Sequence, residues 1–157
     1  MNYKSFEHFM DEDFIRYLNN HYLFNIPHRY GQASERKQPT SRFYYADVRQ
    51  DPVTNFVTYK LFKKFGVTTF KRIYMNLQFS GMDGDWHADD GESTYMLMVT
   101  PTLKQGSGIF EIKDKKQTHP VSFEQNKLVV FQAKAQHRGM APLEPGLPRL
   151  TLVFKTT

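Results

Sequence analysis

Past Gly66 the chain changes from a helical to a two-residue rhythm, and this switch constrains the fold more than any other feature. From Arg72 to Phe79, the residues Ile73, Met75, Leu77 and Phe79 fall on one side, and Arg72, Tyr74, Asn76 and Gln78 on the other. Side chains alternate across a strand, so one face is apolar and the other polar. The run from Arg149 to Lys155 repeats the pattern. Leu150, Leu152 and Phe154 share one face, and Arg149, Thr151 and Val153 share the other. Between these runs, 94–100 (ended by Pro101), 109–112, 121–123 and 128–131 read as further short strands. Gly106-Ser107-Gly108 and Lys113 to Lys116 read as turns, and Pro142, Pro145, Gly146 and Pro148 stiffen the last connection.

Upstream the pattern is different. Residues 1–10 read as a lead-in strand or arm. Asp11 or Asp13 is placed to cap a helix over about 12–23, with Phe14, Leu18 and Tyr22 on one face. Asp51-Pro52 opens a second helix to about 65, carrying Val53, Phe56, Val57, Tyr59, Leu61 and Phe65, with Gly66 as its stop. The segments 22–26 and 42–48 look strand-like, around a polar loop 33–41. Two helices followed by about seven or eight short strands predict a mainly β, α+β chain. The strands would form a jelly-roll-like double sheet, with the N-terminal helices backing one sheet. One domain over 1–157 is expected, with 1–69 as helical support and 70–157 as the β core.

Composition narrows the function classes. The chain of 157 residues is 39% hydrophobic and 24% charged, which is globular rather than disordered. It has no Cys, so disulfides, thiolate ligands and a Cys nucleophile are excluded. The net charge of +5 is mild and is not concentrated in a dense basic cluster. No run reaches the length of a membrane span and the first ten residues lack an apolar core, so a cytoplasmic protein without a membrane partner is expected. Phosphate-cradling glycine loops and a Gly-x-Ser-x-Gly elbow are absent.

The candidate chemistry lies in Asp83-Gly84-Asp85-Trp86-His87-Ala88-Asp89-Asp90. His87 and Asp89, two residues apart in an extended segment, point the same way and can reach one ion. His137 follows in Gln136-His137-Arg138-Gly139, and Arg149 opens the last strand. Two His and a carboxylate suit Fe(II), Mn or Zn, and as a facial triad leave open positions on the metal. A lone His-x-Asp is usually a pair of exposed polar residues; the later His and Arg sharpen the reading. Arg149 and Thr151 either point into a barrel mouth or lie on the solvent face of a half-buried strand, and the same choice applies to Tyr74 and Asn76. An Arg in such a mouth binds a carboxylate through a bidentate fork. His8, His21, His28 and His119 have no partner at ligand spacing and read as structural or exposed. Trp86 either lines the mouth or covers core. Asp90 is on the wrong side for the ion, and Asp83 and Asp85 belong to the turn.

Together these segments resemble the 2-oxoglutarate- and Fe(II)-dependent dioxygenases, and among them the small prolyl-4-hydroxylase-like members of bacteria and phages. The resemblance rests on Ile73-Tyr74-Met75-Asn76, on Asp83 to Asp89, on Asn126-Lys127-Leu128-Val129-Val130-Phe131, on His137-Arg138-Gly139 and on Arg149-Leu150-Thr151-Leu152, in that order. It covers about 70–157. It implies a double-stranded β-helix, the cupin-like form of the jelly roll. It also implies His87, Asp89 and His137 as Fe(II) ligands and Arg149 as the partner of 2-oxoglutarate, with Tyr74, Asn76 and Thr151 helping in that pocket. The implied reaction consumes 2-oxoglutarate and O2, gives succinate and CO2, and has ascorbate as an accessory reductant. A protein or peptide side chain, foremost proline, is the implied substrate. The chain departs from many prolyl hydroxylases at Gly106-Ser107-Gly108-Ile109-Phe110, where they carry Gly-Gly-x-Thr, and from many collagen-type enzymes in having Arg149 rather than Lys.

Two other readings compete. A nucleic-acid dealkylase or base hydroxylase of the same superfamily would use a basic lid, for which Arg29 to Arg42, with Arg36 and Lys37, is the candidate. A non-catalytic metal-binding β-sandwich module would have no need of Arg149. Loops 27–41, 80–86 and 102–108 are expected to set substrate choice.

Overall fold

The structure is a computed structural model that describes residues 3–34 and 39–157. The elements run β1 (Tyr3–Phe6), α1 (Glu12–Asn20), β2 (Arg29–Gln32), β3 (Phe43–Asp47), α2 (Thr54–Phe65), β4 (Phe70–Gln78), β5 (Ser93–Met98), β6 (Phe110–Asp114), β7 (Gln117–Val121), β8 (Leu128–Gln132), β9 (His137–Gly139) and β10 (Arg149–Thr156). They form a seven-stranded sheet, in the order β1-β8-β5-β10-β4-β3-β2, facing a three-stranded sheet β7-β6-β9. The strand pairs are antiparallel. The predicted α+β double sheet is therefore observed, and β1, β2 and β3 add strands to the larger sheet from residues before 70.

Two apolar clusters hold the layers. Ile73, Met75, Leu77, Leu150, Leu152 and Phe154 project from the large sheet onto Ile15, Leu18 and Tyr22 of the first helical segment and Val57 and Leu61 of α2. The second cluster, with Met96, Met98, Phe110, Ile112, Phe123 and Phe131, fills part of the space between the sheets. The two-residue rhythm thus does what it predicts: the apolar face of β4 and β10 meets the helices, and the opposite face looks into the barrel.

The upstream differences have local causes. Residues 22–26 are helical, because His21–Asn25 continues α1 as a π-helical turn. The wider turn lets His21 Nε2 meet Asp51 Oδ1 at 2.9 Å and the Tyr22 hydroxyl meet that of Thr54 at 2.5 Å, docking α1 on the start of α2. Asp11 occupies the cap position of α1 without a side-chain cap bond. Asp51 does bond the first turn of α2, through the Thr54 amide and hydroxyl. Gly66 ends α2 as expected. Phe56 and Tyr59, read as part of its apolar face, are more than 60% exposed. The strand expected over 121–123 ends at Val121 instead, since the turn after β6 lets 117–121 pair with it. Arg29–Gln32 is a strand rather than part of a loop, and Arg36 and Lys37 lie outside the described residues. Among the described residues, no helix is long and apolar enough to cross a membrane.

Candidate metal and carboxylate site

Between the sheets lies a cavity of about 770 Å³. Its floor is the inward face of β4 and β10, and its lining includes Tyr74, Asn76, His87, Asp89, His137, Arg149 and Thr151, all expected at a site. The barrel-mouth reading of Arg149, Thr151, Tyr74 and Asn76 is the one observed.

His87 and His137 come together through the backbone. Each donates its amide to the other's carbonyl, at 3.1 and 2.9 Å, and the Asp89 amide donates to Ala133 O at 2.8 Å. This bridge ties the His-x-Asp segment to β9. One ligand atom from each of His87, Asp89 and His137 lies within 4.8 Å of the others, and among the described residues they are the one such group of three. Both His rings are held by their Nδ1 atoms, against Asp85 O at 2.9 Å and Ala135 O at 2.8 Å. With Nδ1–H donating to a carbonyl, each Nε2 keeps its lone pair for an ion. Burial, reinforced by the neighbouring His87, pushes His137 down to about 4, so it is neutral and ready to ligate at neutral pH. Burial alone would raise Asp89. The charge that His137 carries when protonated in acid, the charge of Lys155 and the bonds from Lys155 and Thr94 outweigh it and hold the carboxyl below its ordinary value. The residues therefore fit a divalent ion: two imidazole nitrogens and one carboxylate converge on one point.

Arg149 is fully buried at the other end of the floor. Its Nε donates to Gly108 O and its Nη1 to Gln78 Oε1, both at 2.7 Å. The Phe123 ring lies 5.1 Å from the guanidinium carbon. Among the described residues Nη2 has no hydrogen-bond partner, and neither has the buried Oδ1 of Asn76. A buried cation with an unmet donor calls for an anion. Burial lowers Arg149 only to about 10, so it stays charged at neutral pH. Glycine makes the slot: a Cβ on Gly139 would sit 2.9 Å from Nη1, and one on Gly108 3.2 Å from Cδ.

Several supporting residues carried no role in the sequence reading. Gln78 Nε2 donates to Met82 O and Gly139 O at 2.8 and 3.0 Å while its Oε1 holds Arg149. The Thr94 hydroxyl donates to Asp89 Oδ2 at 2.8 Å, and Lys155 Nζ lies 2.7 Å from Asp89 Oδ1. Alternation was the signal available: Gln78 shares a face with Tyr74 and Asn76, and Lys155 with Arg149 and Thr151. Asp83 and Asp85 serve the turn, accepting from the Ala141 and Thr40 amides. Asp90 stands outside the ligand group and pairs with Lys71 at 2.5 Å. Trp86 lines the cavity mouth, with Lys113 and Arg138 4.2 and 4.7 Å from its ring. Of the remaining His, His8 bonds Glu12, His21 bonds Asp51 and His28 bonds Tyr22 O, while His119 lies by the Tyr3 ring.

No family model matches the sequence, and no curated protein matches it. Solved structures do match. A 2OG-Fe(II) oxygenase family oxidoreductase from Burkholderia pseudomallei superposes with a TM-score of 0.75 at 11% identity, over 98% of this chain and 84% of that one. A prolyl-4-hydroxylase from Pseudomonas putida gives 0.70 at 14% identity, over 99% and 93%. A Trichoplax adhaerens prolyl hydroxylase, in complex with a hypoxia inducible factor oxygen degradation domain peptide fragment, gives 0.78 at 12% identity, over 99% and 83%. The chain thus has the double-stranded β-helix fold of the 2OG-Fe(II) oxygenases, with a His/Asp/His group and a buried Arg in its barrel.

Proposed function

We propose that the protein is a 2-oxoglutarate- and Fe(II)-dependent dioxygenase, a single catalytic domain over 1–157, that hydroxylates a protein or peptide side chain with proline as the first candidate. The observation that carries this reading is the sharing of one cavity by the His87/Asp89/His137 group and by the buried Arg149 with its unmet Nη2. His87 and His137 would hold the iron through Nε2 and Asp89 through its carboxylate. Arg149 would take one carboxylate of 2-oxoglutarate, with Thr151 and Asn76 beside it and Tyr74 walling the cavity. Iron, with 2-oxoglutarate and O2, supplies the oxidising chemistry, leaving succinate and CO2; ascorbate would serve as accessory reductant.

The protein's own part is ligation, orientation and exclusion of water. Gln78 and Gly108 fix the guanidinium, so the cosubstrate meets a preset fork rather than a mobile side chain. Lys155 and Thr94 keep Asp89 ionised and aimed. Support for a peptide substrate comes from the likeness to a prolyl hydroxylase described with a bound peptide fragment.

The test is an anaerobic titration of the metal-free protein with Fe(II) and 2-oxoglutarate, following the visible charge-transfer band. The band is expected in the wild type, absent in His87→Ala and shifted to far higher cosubstrate in Arg149→Ala. A wild type with no band, and no 2-oxoglutarate binding by calorimetry, would leave a metal-binding β-sandwich module as the surviving reading.

A further inference from the structure

The register of β4 and β10 orders the cavity floor. Gln78 stands opposite Arg149, Asn76 opposite Thr151, Tyr74 opposite Val153 and Arg72 opposite Lys155. Arg72 and Arg149 therefore mark opposite ends of one polar face, six residues or about 20 Å of strand apart. Lys155 reaches Asp89, so the metal group lies between these ends, toward Arg72.

Among the described residues the charges at the Arg72 end do not balance. Lys155 is committed to Asp89 at 2.7 Å and to Asp90 at 3.8 Å, and Lys71 takes the other oxygen of Asp90 at 2.5 Å. Arg72 has no carboxylate partner among the described residues. Its guanidinium carbon instead sits 4.1 Å from the centroid of the buried Tyr74 ring, which turns the group along the strand toward the cavity that it lines. Stacking on an aromatic face holds a guanidinium flat and leaves its N–H edge free. Like charges directly opposite on paired strands also repel, and Arg72 faces Lys155 in this way. A retained repulsion, a preset fork and an open cavity together indicate a ligand anion.

We propose that Arg72 is the specificity residue of the site and binds a carboxylate on the substrate, beside the residue to be oxidised. That carboxylate is either the terminal one of the target residue or the side chain of an adjacent acidic residue. The proposal rests on the dioxygenase reading. A single carboxylate matches the one cation at this end of the cavity that lacks a carboxylate partner among the described residues. A phosphate chain would bring more charge than Arg72 offers, and would bring it up to Asp89 and Asp90.

The test uses the full protein loaded with Zn(II) and 2-oxoglutarate, which holds the site without turnover, and follows the Arg72 Nε–H resonance by NMR. The probes are N-acetyl-L-proline and N-acetyl-prolyl-aspartyl amide, matched with N-acetyl-L-prolinamide and N-acetyl-prolyl-asparaginyl amide, and inorganic phosphate. At least one acid is expected to shift the Arg72 signal while its amide partner does not, and which acid does so identifies the source of the carboxylate. Arg72→Gln should weaken that acid by roughly ten- to a hundredfold, the scale of losing charge-assisted bonds, with 2-oxoglutarate binding unchanged. Arg72→Lys should fall between, keeping the charge without the fork. If neither acid moves the signal, or the amides bind as tightly as the acids, the proposal is overturned while the oxygenase reading stands. A response to phosphate alone also overturns it and favours a nucleic-acid substrate. If the protein takes up no 2-oxoglutarate before any probe is added, the dioxygenase reading fails and this proposal with it.

Discussion

Arg149 and Arg72 stand on the same face of the β4–β10 pair, yet the protein treats them in opposite ways. Arg149 is sealed in: two of its nitrogens are bonded, two glycines leave room for it, and one donor remains open. Arg72 is half-buried, rests on one aromatic ring and is fixed by no hydrogen bond among the described residues. The first arrangement suits a ligand that never changes, because every neighbour can be built around it. The second suits a ligand chosen by the mouth of the cavity. On the proposed roles, burial and partner count, more than residue type, separate a site for a fixed cosubstrate from one for a variable substrate.

The comparison breaks most sharply if Arg149 is removed. Arg149→Gln is expected to cost about 2–5 kcal/mol of 2-oxoglutarate binding, the scale of truncating one partner of a desolvated charge pair. Titration of the charge-transfer band measures it, and a loss of less than about tenfold would show that the cosubstrate does not sit on Arg149. Acid is the next largest effect. His137 is pushed from 6.5 to about 4 in the folded state, so the folded protein binds its proton less readily than the unfolded chain. The stability this represents is fully present above 6.5 and is lost as pH falls from there toward 4, on the order of 3 kcal/mol for the metal-free protein. Asp89, also lowered, adds the same sign further down. Urea unfolding of the metal-free protein across this window should show the decline, and His137→Gln should flatten it; an equal decline in the variant would assign the effect elsewhere.

Smaller changes sharpen the contrast. Gln78→Leu leaves Arg149 Nη1 unpaired in a dry setting and should destabilise by about 1–3 kcal/mol. It should also weaken 2-oxoglutarate while leaving metal affinity alone. Equal loss of both would mean that Gln78 holds the whole loop 80–86 rather than the guanidinium. Arg72→Gln should change stability least, within about 0.5 kcal/mol, because no hydrogen bond depends on it. A large fall in melting temperature would make Arg72 a structural residue.

The parts of this site legible in the sequence were those that period and spacing can reach. Alternation put Arg149 with Thr151 and Tyr74 with Asn76 on shared faces but left those faces open between a barrel mouth and solvent; the family resemblance pointed to the mouth. The two-residue gap placed His87 and Asp89 on one side. His137 was reachable only as a candidate, since its partner is a backbone bridge fifty residues away. Alternation also put Gln78 on the polar face, but its bond to Arg149 on the neighbouring strand, like the room left by Gly108 and Gly139, depends on tertiary contacts that no local pattern encodes. The π-helical turn at His21–Asn25 escaped for the same reason: its width is set by Asp51 and Thr54, not by its own residues.

The place of β10 in the large sheet carries a consequence for how the molecule comes into being. Without β10, the sheet is two separate leaves of three strands, β1-β8-β5 and β4-β3-β2. The strand that joins them, β10, follows the other nine in the chain, and its partners β4 and β5 lie about fifty to eighty residues back, so closure of the sheet is a long-range event. The same strand delivers Arg149 and Lys155. Until it pairs, His87, Asp89 and His137 have neither the Lys155 salt bridge that steadies Asp89 nor Arg149 in their cavity. Closure of the sheet and completion of the cavity are thereby one event.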